Sequence, residues 1–351
     1  MSKSRLLELD GIRGIAALVV VFFHFLFQYN RIYEHEFLIP DFFKYGYYGV
    51  HLFFMVSGFV IFWSLSNCGR PFDFIWSRFS RLYPVYWSAV LFTFFFVSAF
   101  GLEGRESYWS DVIINFTMLQ GFFGVPHVDG VYWTLTLELA FYFWMFIFLI
   151  TGQLKRVEYW LVLWVGTATV LTYYKLGLTI PSFVSNFFLL KYIEMFVAGI
   201  CFYKIWNKEA KFITYILISL TIIAVFAEYP SDIATGLLVL YCLFYFSVTS
   251  RLTILSSKLF TYLGAISYSL YLIHQNVGYI LLNYAYSMNI PMIIAIPFIL
   301  LFCITVASLL NKFIEVPGSR YCRNIYKNSF RLQHFADRFQ LKALRASTRS
   351  K

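Results

Sequence analysis

The chain has 351 residues, 60% of them hydrophobic, 22% aromatic and only 13% charged, with a mean hydropathy of +0.68 and a formal net charge of +10. Soluble globular chains stay nearer ~45–50% apolar and ~25% charged. The composition therefore excludes a soluble enzyme and leaves an integral membrane protein, whose basic excess is read first as topology.

Ten apolar segments of bilayer-crossing length, roughly 17–25 residues each, follow in order: 12–29, 45–66, 84–100, 131–150, 157–174, 183–205, 212–228, 233–250, 262–285 and 290–311. Proline or polar clusters punctuate them at Pro40-Asp41, Arg70-Pro71, Pro126, Pro181, Pro230 and Asn289 to Pro291. All ten are expected to be helices, because an open strand leaves its backbone unsatisfied in lipid. The expected fold class is all-α: a polytopic membrane helical bundle of about ten transmembrane helices, residues 1–315, followed by a basic cytosolic tail, residues 316–351. The first segment carries His24 and has no small-residue cleavage site, so it reads as an uncleaved span.

Charge sets the orientation. With the N-terminus in the cytosol, every one of the 28 Lys and Arg residues except Arg31, Lys44, Arg105, Lys175 and Lys191 falls on the inner side, as the positive-inside rule requires. Ten spans then return the C-terminus to the cytosol, and the expected location is the cytoplasmic (inner) membrane. The basic tail suits anionic inner-leaflet lipid, and no nucleic acid partner is expected. Cys68, Cys201, Cys242, Cys303 and Cys322 all fall in spans or on the inner side, which gives neither a disulfide framework nor a metal-ligand spacing. No metal is expected.

Ionisable residues inside these spans carry the chemistry. At ~100° and 1.5 Å per residue, Arg13 and His24 share one face of the first helix about 16 Å apart. His51, Glu138 and His274 count to a depth near that of His24, in the outer third of a core ~30 Å thick. Such groups are costly in lipid and usually face a bundle interior or a wet cavity. Four in one layer suggest a polar chamber holding a base and its partners.

At the inner mouth of the third span, Arg78 and Arg81 stand at i, i+3 and offer two planar donor forks suited to phosphate or pyrophosphate. With Arg13 they suggest an anionic head held in the cytosol and a reactive end deeper, beside His24. All three arginines equally suit simple interfacial anchoring. Ser267, Tyr271 and His274 share a face of span nine at i, i+4, i+7, either as a site wall or as a helix–helix hydrogen-bond seam. Lys191 and Glu194 stand i, i+3 on span six and can neutralise each other, and Glu315 is expected to pair with a nearby arginine.

Six stretches in order carry a family resemblance: "LDGIRGIAALVVVFFHF" with its Arg–ten residues–His spacing, "GVHLFFMVSGFVI", the Arg-x-x-Arg of "WSRFSRLYPVYW", "VYWTLTLELAFYFWMF", "LGAISYSLYLIHQNV" and "IEVP". Together they resemble the acyltransferase-3 family of integral membrane O-acyltransferases, from about residue 7 to about residue 320. The resemblance implies transfer of an acyl group, acetyl first among them, from cytosolic acyl-CoA (acetyl-CoA as co-substrate) to a carbohydrate or glycolipid acceptor, or to another small molecule. It makes His24 the catalytic histidine, Arg13 its partner in the same motif, Arg78 and Arg81 the acyl-CoA-binding pair, and Glu138 the acidic position after Trp133-Thr134-Leu135. His51 stands where many members carry aspartate; it can orient His24, bind acceptor hydroxyls or pack. The chain resembles the stand-alone form, without an added extracytoplasmic domain.

The mechanism expected from this is direct transfer. His24 takes the proton of an acceptor hydroxyl attacking the thioester, and Glu138 or His51 orients the imidazole. Tyr271, His274, Ser57 and Trp133 are the candidates for the oxyanion donor or the acceptor site, with no choice among them. An acyl-histidine intermediate is the competing route. The alternative function is a polytopic transporter or flippase of an envelope precursor, without acyl-transfer chemistry; a third reading is a non-catalytic sensor.

Overall fold

A computed structural model describes residues 6–173 and 179–349, and all regular structure in them is helical. Lys3, Arg5, Lys175 and Lys351, counted above toward the charge asymmetry, lie outside the described residues, as does residue 174 at the end of an expected span. The main helices are α1 (Leu7–Tyr33), α2 (Asp41–Ser66), α3 (Pro71–Phe100), α4 (Gly130–Ile150), α5 (Val157–Tyr173), α6 (Ile193–Trp206), α7 (Phe212–Glu228), α8 (Ser231–Val248), α9 (Lys258–Ser287), α10 (Met292–Asn328) and α11 (Phe330–Arg349). Six of them, α1 to α4, α8 and α10, are long and apolar enough to cross a membrane. The chain is a multi-pass membrane protein.

The remaining expected spans differ in instructive ways. α7 has 17 residues, at the short limit for spanning, and α5 has 17 among the described residues. α9 has 30 residues, but buried Ser, Tyr, His, Gln and Asn side chains make it the least apolar of the long inner helices. Segment 183–205 is not one helix. Ser182–Phe187 closes on Leu189 in the left-handed region (φ 52°), with Leu190 N bonding Ser185 O at 2.9 Å, and α6 starts after Tyr192 at φ 75°. The carbonyls freed at this break are taken up by indoles: Trp144 Nε1 donates to Phe187 O at 2.8 Å and Trp164 Nε1 to Phe188 O at 2.7 Å. Those bonds satisfy oxygens that the helix break would otherwise leave without partners. α3 begins at Pro71, where a missing N–H costs nothing, and runs through Pro84, so Arg78 and Arg81 sit on one continuous helix with the apolar segment 84–100.

By contacts the chain divides into two compact units. The first comprises Met1–Leu52, Tyr83–Thr136 and Ser250–Pro317. Its spine is the pairing of α1 with α9, and α9 is flanked in turn by α10, where Tyr262 Oη meets Ser308 Oγ at 2.6 Å and Asn311 Nδ2 donates to Ala265 O. Glu315 accepts from Ser269 and Asn311, not from the arginine expected of it.

The second unit comprises Phe53–Leu82, Leu137–Thr249 and Gly318–Lys351. Here Gly58 and Gly199 let α2 and α6 touch backbone to backbone: a Cβ on Gly58 would fall 1.9 Å from Phe196 O, and one on Gly199 2.0 Å from Met55 O. The buried charge on α5, Glu158, is matched by Lys204 of α6 at 2.7 Å and by the Thr214 hydroxyl of α7. Arg70, between α2 and α3, holds Asp73, and also Gln333 and Asp337 of α11. Glu194 is buried with one carboxylate oxygen unbonded, and no ion pair joins it to Lys191 among the described residues.

Candidate functional site

The site is built by helix register. Gly14 of α1 and Gly264 of α9 meet where a Cβ on Gly264 would fall 1.9 Å from Asp10 O, and one on Gly14 2.8 Å from Gly264 N. Small residues allow that approach, and any larger side chain would force the helices apart. Ten residues beyond each glycine, about 15 Å along both axes, His24 and His274 meet. His274 Nε2 lies 3.0 Å from His24 Nδ1, with ring centroids 4.9 Å apart. A second close contact sits just beyond, where a Cβ on Gly278 would strike the Phe25 ring at 2.1 Å.

Hydrogen-bond partners fix the tautomers of this pair. His274 Nδ1 faces two carbonyls, Leu270 O at 3.1 Å and Tyr271 O at 2.9 Å, which can only accept. Nδ1 therefore carries the proton, and the neutral ring presents Nε2 as an acceptor. His24 Nδ1 faces that Nε2 and also Val20 O at 2.9 Å. Between two acceptors it must be the protonated nitrogen, which leaves the lone pair of His24 on Nε2.

The backbone around His24 is itself unusual. Residues Phe23–Gln28 form a π-helical turn, a device often found at functional sites. Such a turn releases a carbonyl from the regular ladder, and His35 Nε2 donates to Phe25 O at 2.9 Å while its Nδ1 accepts from Tyr286 Oη at 2.6 Å. His35 lies outside the span, and burial holds its imidazole below the usual value, in keeping with a neutral donor–acceptor ring.

His24 lines a cavity of about 260 Å³, near the lower end of ligand-sized pockets, roughly 300–1,000 Å³. The wall is largely aromatic: Phe23, Tyr47, Trp133 and Tyr271, with Tyr47 stacked on Trp133 at 6.4 Å and 11°. Polar contributions come from Gln28, Gln275 and Arg105. The Tyr271 hydroxyl is already engaged by Val131 O at 3.0 Å and Thr134 Oγ1 at 2.8 Å. Trp133 stays at the wall.

His51 is fully buried against the rings of Tyr47 and Tyr48 and is not among the lining residues. Among the described residues His24 bonds Val20 O and His274 and not the expected His51, while Glu138 is bonded by Ser57 and Tyr142. The partner is His274, because the α1–α9 register aims the two rings at each other. Ser267 Oγ bonds back to Gly264 O of its own helix at 2.8 Å. Arg13 keeps an ion-pair distance of 3.9 Å to Asp10.

In the second unit, Ser57 donates to Glu138 Oε1 at 2.7 Å, and the Tyr142 hydroxyl donates to the same oxygen. The Ser57 hydroxyl is thus engaged by a carboxylate. Nearby, Arg78 Nε donates to Ser77 Oγ at 3.3 Å and its Nη2 to Ser64 Oγ at 3.4 Å, and its guanidinium lies over the Phe74 ring. Nη1 of Arg78 is buried without a hydrogen-bond partner. No carboxylate stands within ion-pair distance of Arg78 or Arg81 among the described residues, so an exogenous anion would find unspent donors there.

Sequence reasoning missed Arg105, Gln275 and Gln28. Arg105 had been counted only as an outer cation, although the glycines at 101 and 104 hinted at a tight turn. Both adopt left-handed φ, +74° and +72°, in the turn that leaves α3, and Arg105, the next residue, lines the cavity. Among the described residues, no cluster of three or more His, Cys, Asp or Glu is arranged to hold a metal ion.

Comparison with known proteins gives one result. A family model described as an acyltransferase domain matches residues 6–312, nearly the whole chain. No curated protein and no solved structure matches it.

Proposed function

The chain belongs to the acyltransferase-3 family of membrane acyltransferases, and from that premise we propose that it moves an acyl group, acetyl first among them, from cytosolic acyl-CoA to a hydroxyl of a cell-surface or exported carbohydrate, with His24 as general base. Family membership supports acyl transfer. The observation that carries the residue assignment is the imidazole of His24 at a cavity wall, its Nδ1–H committed to His274 Nε2 and Val20 O.

In this reading the acceptor hydroxyl attacks the thioester carbonyl while its proton passes to His24 Nε2. The imidazolium so formed keeps its Nδ1–H bond to His274, which takes the orienting part that an aspartate plays in hydrolase triads. Collapse of the tetrahedral species forms the ester and breaks the C–S bond. His24 returns its proton to the CoA thiolate, so the enzyme ends unchanged. Arg78 and Arg81 hold the anionic portion of the donor, a role supported by the unspent Nη1 of Arg78. Glu138, bonded by Ser57 and Tyr142, keeps that guanidinium-bearing cluster ordered. The cytosolic N-terminus, the inner-membrane location and the anchoring of residues 316–351 at anionic lipid belong to the same proposal.

The test is CoA release and acyl incorporation by purified protein with radiolabelled acetyl-CoA and an envelope glycan extract. His24→Ala should abolish both while membrane insertion and protein level are kept. Near-normal turnover in that variant would remove His24 from the chemistry, and flux of an unmodified glycan without CoA release would favour a carrier.

A further inference from the structure

Resting on the reading of the His24 cavity as the acceptor site, we infer that the acceptor is anionic: a hydroxyl compound bearing a carboxylate or phosphate, bound by Arg105. The cavity is lined by one cation, Arg105, and by no carboxylate. Among the described residues no acidic side chain lies within ion-pair distance of that guanidinium. The acid behind the wall, Asp129, spends Oδ1 on Val131 N at 3.2 Å and Oδ2 on Asn276 N at 3.1 Å.

Arg105 is nonetheless held in place. Its guanidinium lies over the Tyr279 ring, 5.9 Å from the centroid, and packs against Gly130, where a Cβ would fall 3.0 Å from its Nη1. Gln275 presses on the same glycine, 2.7 Å from that Cβ position through Oε1, an oxygen buried without a partner. A side chain at residue 130 would displace both groups, so the glycine keeps the donor fork at the cavity edge. A fixed guanidinium facing an aromatic cavity offers a bidentate, charge-assisted site for a planar carboxylate or a phosphate. A neutral ligand would instead leave that guanidinium without a contact ion-pair partner on binding. The segment 101–108 carrying Arg105 is mostly exposed and follows the outer end of the third span in the expected orientation, the side from which an exported acceptor would enter. The arginines expected to hold CoA occupy the inner side of that topology.

The experiment uses full-length protein in detergent with acetyl-CoA and three acceptor probes: methyl glucuronide, glucose 6-phosphate and methyl glucoside. CoA release and ester formation are followed for each. Wild-type protein should prefer at least one anionic probe over the glucoside by about tenfold to a hundredfold in kcat/KM, the worth of one charge-assisted hydrogen-bond pair. Whether the uronate or the phosphate wins distinguishes the two anionic classes. Arg105→Gln should collapse that ratio toward one, with Arg105→Lys intermediate. Equal use of all three probes, loss of all three to the same extent in Arg105→Gln, or failure to acylate any of them by protein active on the glycan extract would overturn the inference. The underlying reading fails separately, if His24→Ala keeps full CoA release while the charge preference and its Arg105 dependence persist.

Discussion

Replacing His274 with leucine removes the Nε2 acceptor 3.0 Å from His24 Nδ1 and nothing that lines the cavity. The loss can be worked from the two bonds on that nitrogen. Val20 O remains at 2.9 Å, so His24 still favours the Nδ1–H tautomer and ground-state binding changes little. In the transition state His24 becomes cationic, and the missing bond would then have been charge-assisted, about twice as strong as a neutral one. A differential of about 1.5–3 kcal/mol follows, which lowers kcat roughly 10- to 100-fold with KM for acetyl-CoA nearly unchanged. His274→Gln offers its amide oxygen near the position of Nε2 and should recover much of the loss. Stopped-flow or thiol-detected CoA release measures both variants, and 15N spectra of histidine-labelled protein report the His24 tautomer without any acceptor. If His274→Leu stays within about twofold of wild type, or if His274→Gln is no better than leucine, the orienting role is wrong.

Two further outcomes follow from the same contacts. Gly264→Ala places a Cβ 1.9 Å from Asp10 O, backbone against helix, where neither side can yield cheaply; it should cost about 1–3 kcal/mol and disturb the His24–His274 distance, seen as a lower melting temperature together with lost turnover. Normal melting and activity would show that α1 and α9 are not in backbone contact. Asp129, one residue before α4, is pushed up to about 6 by burial, against the opposing pull of two backbone N–H groups and Arg105. An acid raised in the folded state stabilises fully below its unfolded value near 4, and that contribution is lost as pH rises through about 6, a change on the order of 3 kcal/mol. Asp129→Asn should therefore flatten the melting-temperature profile between pH 4 and 7, and a variant with the wild-type slope would refute the assignment.

Much of this was legible in the chain. Mean hydropathy and the length of the apolar segments marked a polytopic helical membrane protein, because lipid leaves the backbone no other way to satisfy its hydrogen bonds. The spacing from Arg13 to His24, the Arg-x-x-Arg at 78–81 and the tyrosine and histidine of "SYSLYLIH" pointed at residues whose ionisable or polar groups are too costly to leave in lipid without purpose. Span counting was less secure where polarity and breaks intervene. α9 is long but polar, and the break between Phe187 and Ile193 depends on indoles at 144 and 164, distant in sequence.

What the sequence determined by itself is local: helical periodicity, the apolar segments and the family's motifs, all set by short-range pattern. Which groups meet was decided by tertiary structure. Glu138 and His51 were as good a partner for His24 by depth as His274, and depth says nothing about rotation or register. The contact of Gly14 with Gly264 chooses His274, and two left-handed glycines after α3 bring Arg105 to a cavity that no spacing announced. The physical reason is that a side chain's partner depends on the phase and close approach of separate helices, and these are fixed only when the helices pack.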